Sequence, residues 1–181
     1  MATDTEVRPG ARALRAVLFA VGMSSSVIFA TEVASLAPRA INWAEEQAEA
    51  VAHVGHALTP RQLALARAVG VRHPERIRIE VVGQFPIPQD ADMKAAATQI
   101  GLARPSIVGL TLGYSVMLRR GHENEPRLLR HEFRHVSQYE ARGGIAEFLM
   151  QHLQDLARYG YEDSPYEVDA RAHEVEHNRH L

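Results

Sequence analysis

The chain has 181 residues, a net charge of −2, 46% hydrophobic residues and no cysteine. This length is typical of a domain with a sizeable core, and the slight negative charge argues against nucleic acid as a partner, because proteins that bind nucleic acid usually carry a strong basic excess. Without cysteine there are no disulfides and no thiolate ligands, so any metal ion must be held by nitrogen and oxygen atoms.

The first element in the chain is an uncharged apolar stretch, residues 16–31, which follows three arginines. It contains three consecutive serines and is shorter than the 18 or more residues, roughly, that a membrane-spanning helix needs. We expect residues 1–37 to form an N-terminal apolar helix, buried or docked on the surface, with a targeting or anchoring segment as the alternative. The expected location is therefore cytoplasmic, with a secreted or membrane-anchored form as the alternative and membrane association through residues 12–37.

The middle of the chain predicts two helices and a strand. Residues 42–57 are rich in alanine and glutamate and favour a helix. A second helix is expected to begin at Thr59, where Gln62 completes a capping box, and to end at Gly70. RIRIEVV, residues 76–82, alternates apolar and charged side chains, which is typical of a half-buried strand.

Residues 107–118, IVGLTLGYSVML, predict the longest strand in the chain. Large side chains alternate with small ones, so that one face carries the apolar residues and the other carries Gly109, Thr111, Gly113 and Ser115. Small residues on a strand face allow a close approach to the backbone. Either a substrate or a tightly packed helix would use that space.

The pattern His-Glu-x-x-His occurs twice, as HEFRH at residues 131–135 and HEVEH at residues 173–177. On a helix, residues i and i+4 have Cβ atoms about 5–6 Å apart, so both imidazoles reach one ion at about 2.0–2.1 Å. The glutamate is rotated by about 100° from the first histidine and can contact water at the ion instead. HEFRH lies in a helix with an apolar face, whereas HEVEH lies at a polar C-terminus and favours a solvated turn. We therefore predict metal ligation by His131 and His135, and no independent site at HEVEH.

Two histidines leave a metal site open, so a third ligand must come from elsewhere in the fold. Glu167 lies 32 residues beyond His135 at the start of a predicted C-terminal helix, and we predict that it is the third ligand. Ser164 and Glu167 also fit a capping box, which would explain this glutamate without a metal. Asp163 and Glu162 are the next candidates.

HEFRH, followed by a later helix that carries a glutamate, resembles the gluzincin group of zincin metallopeptidases over about residues 72–177. The resemblance implies an α+β, mostly α, zincin-like domain at residues 38–181, in which a small mixed sheet packs on the HExxH helix and additional helices flank it. It also implies Zn²⁺ as cofactor, and a strand before the motif that pairs with a peptide or protein substrate. One position departs from the pattern, because many gluzincins carry an acidic residue four positions after the ligand glutamate and this chain has Arg171 there.

The expected function is that of a zinc-dependent hydrolase of peptide bonds, in which Glu132 acts as general base toward water activated by the metal. Tyr139, Tyr161 and Tyr166 are candidates for a second electrophile, although each also suits a core or interface position. The alternatives are a zinc-binding domain without catalysis, as in a pseudoenzyme or a partner-binding module, and a helical membrane-associated factor in which HEFRH is accidental.

Overall fold

The chain alternates helices with short strands, and the computed structural model describes residues 25–99, 102, 104 and 106–175. The helices are α1 (Ser25–Val54), α2 (Pro60–Ala68), α3 (Ala91–Gln99), α4 (Pro126–Arg142), α5 (Ile145–Tyr159) and α6 (Pro165–Ala172). The strands are β1 (His56–Ala57), β2 (Arg78–Val82), β3 (Gly109–Leu112) and β4 (Ser115–Arg119), and a 3-10 turn at Pro74–Arg76 leads into β2. The fold is therefore α+β, as the sequence predicts.

The four strands form one mixed sheet in the order β1-β2-β4-β3. The central pair, β2 and β4, is parallel, whereas β1 and β3 pair antiparallel to their neighbours. Strand β3 is consequently an edge strand, and it lies next to the helix that carries HEFRH. The prediction of a small mixed sheet packed on the motif helix is confirmed at this level.

The predicted single strand at residues 107–118 is wrong, because the chain reverses in its middle. Gly113 adopts a left-handed backbone with φ of 63°, which a glycine tolerates at the first central position of a two-residue hairpin turn. The turn reverses the alternation of side chains, so that Leu112 and Ser115 face each other across the hairpin. The large side chains before and after the turn therefore do not all lie on one face of the sheet, as a single strand would require.

Each face of the sheet is covered by helices. On one face, α2 and α4 pack on a cluster that includes the fully buried Ile79, Val116 and Phe133. On the other face, α1 covers Leu112, Met117 and their neighbours. This arrangement holds α4 against the sheet. The part of α4 that carries HEFRH lies beside the edge strand β3.

Helix α4 begins and ends at residues that suit helix termini. Pro126 occupies its first turn, where its missing N–H costs nothing. Gly143 ends it in a left-handed conformation with φ of 107°. The capping box at Thr59 and Gln62 is also present at the start of α2.

The N-terminal helix α1 runs without interruption from Ser25 to Val54 and contains Pro38 in its interior. The helix therefore continues across the predicted boundary between the N-terminal segment, residues 1–37, and the domain at residues 38–181. The division itself stays a prediction. The helix ends three residues before the predicted end at 57, because His56 and Ala57 pair with β2 instead. Residues 1–24, which carry much of the predicted apolar or targeting segment, lie outside the described residues. Within the described part of the chain, no helix combines the length and the apolar character needed to cross a membrane.

Candidate metal centre

Helix α4 buries an unusual number of polar side chains. Glu132, His135 and Gln138 are 4%, 8% and 6% exposed, on the same helix that buries Phe133 and Val136 in the core. Burying a polar or charged group costs several kcal/mol, roughly, unless it is paired. These side chains therefore need partners, and their partners define the site.

The structure brings His131, His135 and Glu167 together, with ligand atoms that all lie within 4.8 Å of one another. The Nε2 atoms of the two histidines are 3.1 Å apart. Glu167 enters from the first turn of α6, and its two oxygens lie 3.4 Å from His131 Nε2 and 3.4 Å from His135 Nε2, respectively. Three ligands at the usual Zn–N and Zn–O distances around a tetrahedral ion lie about 3.3–3.4 Å apart. The nearest atom pairs here have a similar spacing, and one ligand atom of each residue lies within 4.8 Å of the other two.

A side-chain amide sets the tautomer of His135. Gln138 uses its amide nitrogen to donate to Tyr166 O at 3.0 Å and to Asp169 Oδ2 at 2.7 Å. Its oxygen therefore faces His135 Nδ1, 2.8 Å away, and accepts a hydrogen bond from Nδ1–H. In the neutral ring, Nε2 is then an unprotonated lone pair that faces the other two ligands.

A carboxylate fixes His131 in the same way. Glu174 Oε1 lies 3.0 Å from His131 Nδ1 and can only accept, while the other oxygen of Glu174 contacts Arg127. The main-chain carbonyl of the neighbouring His173 accepts from Arg130 Nε at 2.9 Å, which holds this segment against α4. At metal sites, the ring nitrogen that does not face the metal commonly donates to a carboxylate or an amide oxygen, and this hydrogen bond orients the histidine.

The Nε2 lone pairs of the two histidines and the carboxylate of Glu167 therefore face one another at short distance. These electron-rich groups repel one another unless a cation lies between them. Glu167 Oε2 is buried and has no hydrogen-bond partner within the described part of the chain. Burial lowers the pKa of His131, but the carboxylates of Glu167, Glu132 and Glu174 outweigh it and raise the pKa above its ordinary value. These carboxylates therefore favour a positive charge at this position, which a bound metal ion would supply. The donor set of two nitrogens and one oxygen fits a zinc ion.

Glu132 does not join this cluster of ligands and instead points to the edge strand. Its Oε2 accepts a hydrogen bond from Thr111 Oγ1 at 2.7 Å. Its Oε1 lies so close to Gly109 that a Cβ built at this position would be 2.1 Å from it. The small residues of this segment predicted close approach by either a substrate or a packed helix. At Gly109 the structure shows the packed helix. The space is taken by the side chain of the predicted general base.

The three candidate tyrosines lie in different surroundings. Tyr139 is buried and donates to Thr111 O at 3.2 Å, and its ring stacks on Phe148 at 3.9 Å. Tyr166 packs on the other side of Phe148, at 4.5 Å. Tyr161 lies near both Glu167 and Glu132: burial, followed by the charges of these carboxylates, raises its pKa. It therefore remains a neutral phenol near the cluster, able to donate a hydrogen bond.

The other candidates for the third ligand lie outside the cluster. Glu162 is 78% exposed in its side chain, and Asp163 is also exposed. The capping-box interpretation of Glu167 is wrong, because Ser164 is the N-cap of α6 but its side chain makes no capping hydrogen bond. Glu167 is instead 3% exposed and faces the two histidines.

Sequence reasoning missed the residues that support the ligands. The expected solvated turn at HEVEH is wrong for Glu174, whose side chain is 12% exposed and contacts His131. Glu174 thus lies seven positions after Glu167, whereas Arg171 is four positions after it. Gln138, three positions after His135, carried a usable signal, because residues i and i+3 on a helix are neighbours. Residues 176–181, including the second histidine of HEVEH, lie outside the described residues.

Comparisons with known proteins gave no match: no family model, no curated protein and no solved structure is significantly similar to the chain.

Proposed function

We propose that the chain is a zinc-dependent hydrolase of peptide bonds with a zincin-like fold. The observation that carries this proposal is the convergence of His131 Nε2, His135 Nε2 and the Glu167 carboxylate at 3.1–3.4 Å, with Glu132 beside them on the same helix. When bound there, zinc supplies Lewis acidity, which polarises a carbonyl group and lowers the pKa of water to about 7.

The side chains around the cluster suit the remaining steps of peptide hydrolysis. Glu132, whose Oε2 accepts a hydrogen bond from Thr111 Oγ1, would accept a proton from the attacking water and return it to the leaving amine. Thr111 holds one oxygen of Glu132, so the position of this base is fixed before substrate binds. Tyr161, a neutral phenol, would donate a hydrogen bond to the developing oxyanion.

The edge strand β3 offers a place for the substrate backbone. Val108 O accepts from Arg119 N at 2.9 Å, and because residues of an antiparallel pair alternate, the backbone groups of Gly109 and Thr111 point away from β4. Tyr139 occupies one of them, Thr111 O. The others border the site and suit the addition of an extended peptide as a further strand.

Three substitutions test the proposal. His131→Ala and His135→Ala are expected to abolish stoichiometric zinc, whereas Glu132→Gln is expected to retain zinc and lose hydrolysis by several orders of magnitude. Metal content after loading and cleavage of a peptide library measure the two properties separately. A wild-type protein that takes up no zinc after loading would rule out the proposal.

The second candidate is a domain that binds zinc but does not hydrolyse peptides. It is favoured by the burial of Glu132, which is only 4% exposed and already bonded to Thr111. Wild-type protein that retains zinc but cleaves no more of the library than Glu132→Gln would establish this candidate instead.

A further inference from the structure

An apolar cavity of about 180 Å³ opens beside the metal cluster. Much of its wall comes from α1, α3, β3 and α5, through mostly apolar side chains such as Trp43, Met93, Leu110, Leu153 and Leu156. His152 is part of the wall, but its Nδ1 faces Ser164 Oγ at 3.4 Å. Most of the cavity therefore offers no polar partner to a ligand.

The polar groups of the cavity are gathered where it meets the proposed active site. Glu132, His135, Tyr161 and Glu167 line it there, together with Gly109 of the edge strand. If the apolar part of a ligand fills the cavity, the opposite end of that ligand consequently lies beside the candidate metal ligands and the general base. Such a layout suits a molecule with one polar, reactive end and one apolar end.

The opposite side of the cluster has a different character. On the side of His131, a second depression is lined by this histidine and by the charged side chains of Glu125, Arg127 and Glu174. Gly109, Glu132 and Tyr161 line both spaces and so mark the point at which they meet. A peptide that crosses the site along β3 would have apolar surroundings on one side of the cluster and charged surroundings on the other.

We infer that the apolar cavity is the specificity pocket of the proposed hydrolase and takes one large apolar side chain, aromatic or branched aliphatic, next to the cleaved bond. The inference rests on the proposed function. The size of the cavity sets this limit: an apolar cavity of about 150 Å³ holds one benzene molecule, so the 180 Å³ available here suits one ring or branched chain. A long acyl chain would not fit.

Two hydroxamates that differ only in their apolar part test the inference on the zinc-loaded full chain. Acetohydroxamate chelates the metal without entering the cavity, whereas 3-phenylpropanohydroxamate adds a phenyl group that can. Burial of the ring is expected to make the second compound on the order of 10- to 100-fold tighter in calorimetric titrations. Equal affinities would overturn the inference while leaving the zinc site intact.

Substitutions that fill the cavity provide the matched comparison. Ala96 on α3 and Ala40 on α1 are half-buried and line the cavity, so Ala96→Leu and Ala40→Leu are each expected to remove the preference for the phenyl compound. Zinc content and acetohydroxamate affinity should stay unchanged. Ala95→Leu and Ala50→Leu, at exposed positions of the same helices, are expected to retain the preference.

The outcomes separate the inference from the proposed function. A preference that persists in both filled variants, with circular dichroism and zinc content like those of the wild type, overturns the inference alone. Failure of the wild type to take up zinc, with no binding of either hydroxamate, overturns the proposed function and the inference with it.

Discussion

The carboxylate of Glu132 lies directly against the backbone of Gly109, so that the predicted general base and the edge strand share a space that no side chain at position 109 could enter. A Cβ there would lie 2.1 Å from Oε1 and 2.5 Å from Cδ of Glu132. The contact couples the position of the proposed substrate-binding strand to that of the base. A strand residue far from HEFRH in the sequence therefore controls the geometry of the motif.

Gly109→Ala is expected to displace Glu132 and to lower peptide hydrolysis by about 100-fold or more, while zinc remains bound. The overlap should also destabilise the fold by about 1–3 kcal/mol, as overpacking usually does. Thermal unfolding, zinc content and hydrolysis measure the three effects. The control is Gly83→Ala, since nothing lies within 4 Å of a Cβ at that position. Wild-type activity in Gly109→Ala would show that the observed position of Glu132 does not matter for catalysis.

Glu174→Ala is expected to weaken zinc binding by about 10- to 100-fold, as loss of a partner of a ligand histidine usually does. The reason is that His131 Nδ1 loses the acceptor 3.0 Å away that sets its tautomer and orientation. Competition with a zinc-chelating dye gives the affinity. Glu162→Ala removes an exposed glutamate of the same region and should leave the affinity unchanged. Equal affinities for the two variants would assign Glu174 no part in the site.

Gln138→Leu is expected to lower zinc affinity by a similar factor, because His135 Nδ1 would lose its acceptor at 2.8 Å. Gln138→Glu should retain much of the affinity, since a carboxylate oxygen can accept the same hydrogen bond, at the cost of the bonds to Tyr166 O and Asp169. The same dye competition measures both variants. A Leu variant that binds zinc better than the Glu variant would contradict the assigned tautomer.

Removal of zinc is expected to lower the thermal stability of the wild type. A ligand that binds only the folded state at about 100 times its Kd stabilises that state by about 2.7 kcal/mol, which corresponds to about 5–10 °C for a chain of this size. Calorimetric scans with and without a chelator measure the shift. His135→Ala should show none, and an equal shift in that variant would place the metal elsewhere.

Glu140 makes folding stability depend on pH at a position away from the candidate metal site. Its carboxylate accepts from Arg72 N, His73 N and Tyr114 Oη at 2.7, 2.9 and 3.0 Å. Burial raises the pKa of Glu140, but these hydrogen bonds and the charge of Arg72 outweigh it and hold the pKa below its ordinary value. Because the folded state favours the charged form, this stabilisation is present above the ordinary glutamate pKa and is lost as the pH falls through the lower, folded value.

Glu140→Gln is accordingly expected to cost about 1–2 kcal/mol at pH 7, and the difference from the wild type should shrink as the pH falls below about 4.5. Denaturant unfolding between pH 7 and pH 3 measures this difference. Glu75→Gln, at an exposed position before β2, should differ little from the wild type at either pH. A Glu140→Gln deficit that stays constant with pH would exclude a charged Glu140 as its source.

Local patterns in the sequence determined the ends of helix α4 and the pair of histidines on one of its faces. The i, i+4 spacing of His131 and His135 sets two imidazoles on one face of a helix, and Pro126 and Gly143 set its ends, because these effects act within one or two turns of the backbone. Tertiary structure decided the rest of the site. The sequence offers Glu167 as the preferred of three acidic candidates, and the packing of α6 on α4 brings it beside the two histidines. Glu174 and Gly109 reach HEFRH only through tertiary packing, and residues far apart in the chain leave no periodic signal of such contacts. Alternation at residues 107–118 predicts an extended chain, but the chain reverses at Gly113, where a glycine suits the first central position of a two-residue turn. In the folded chain helices cover both faces of the resulting hairpin, α4 on one face and α1 on the other.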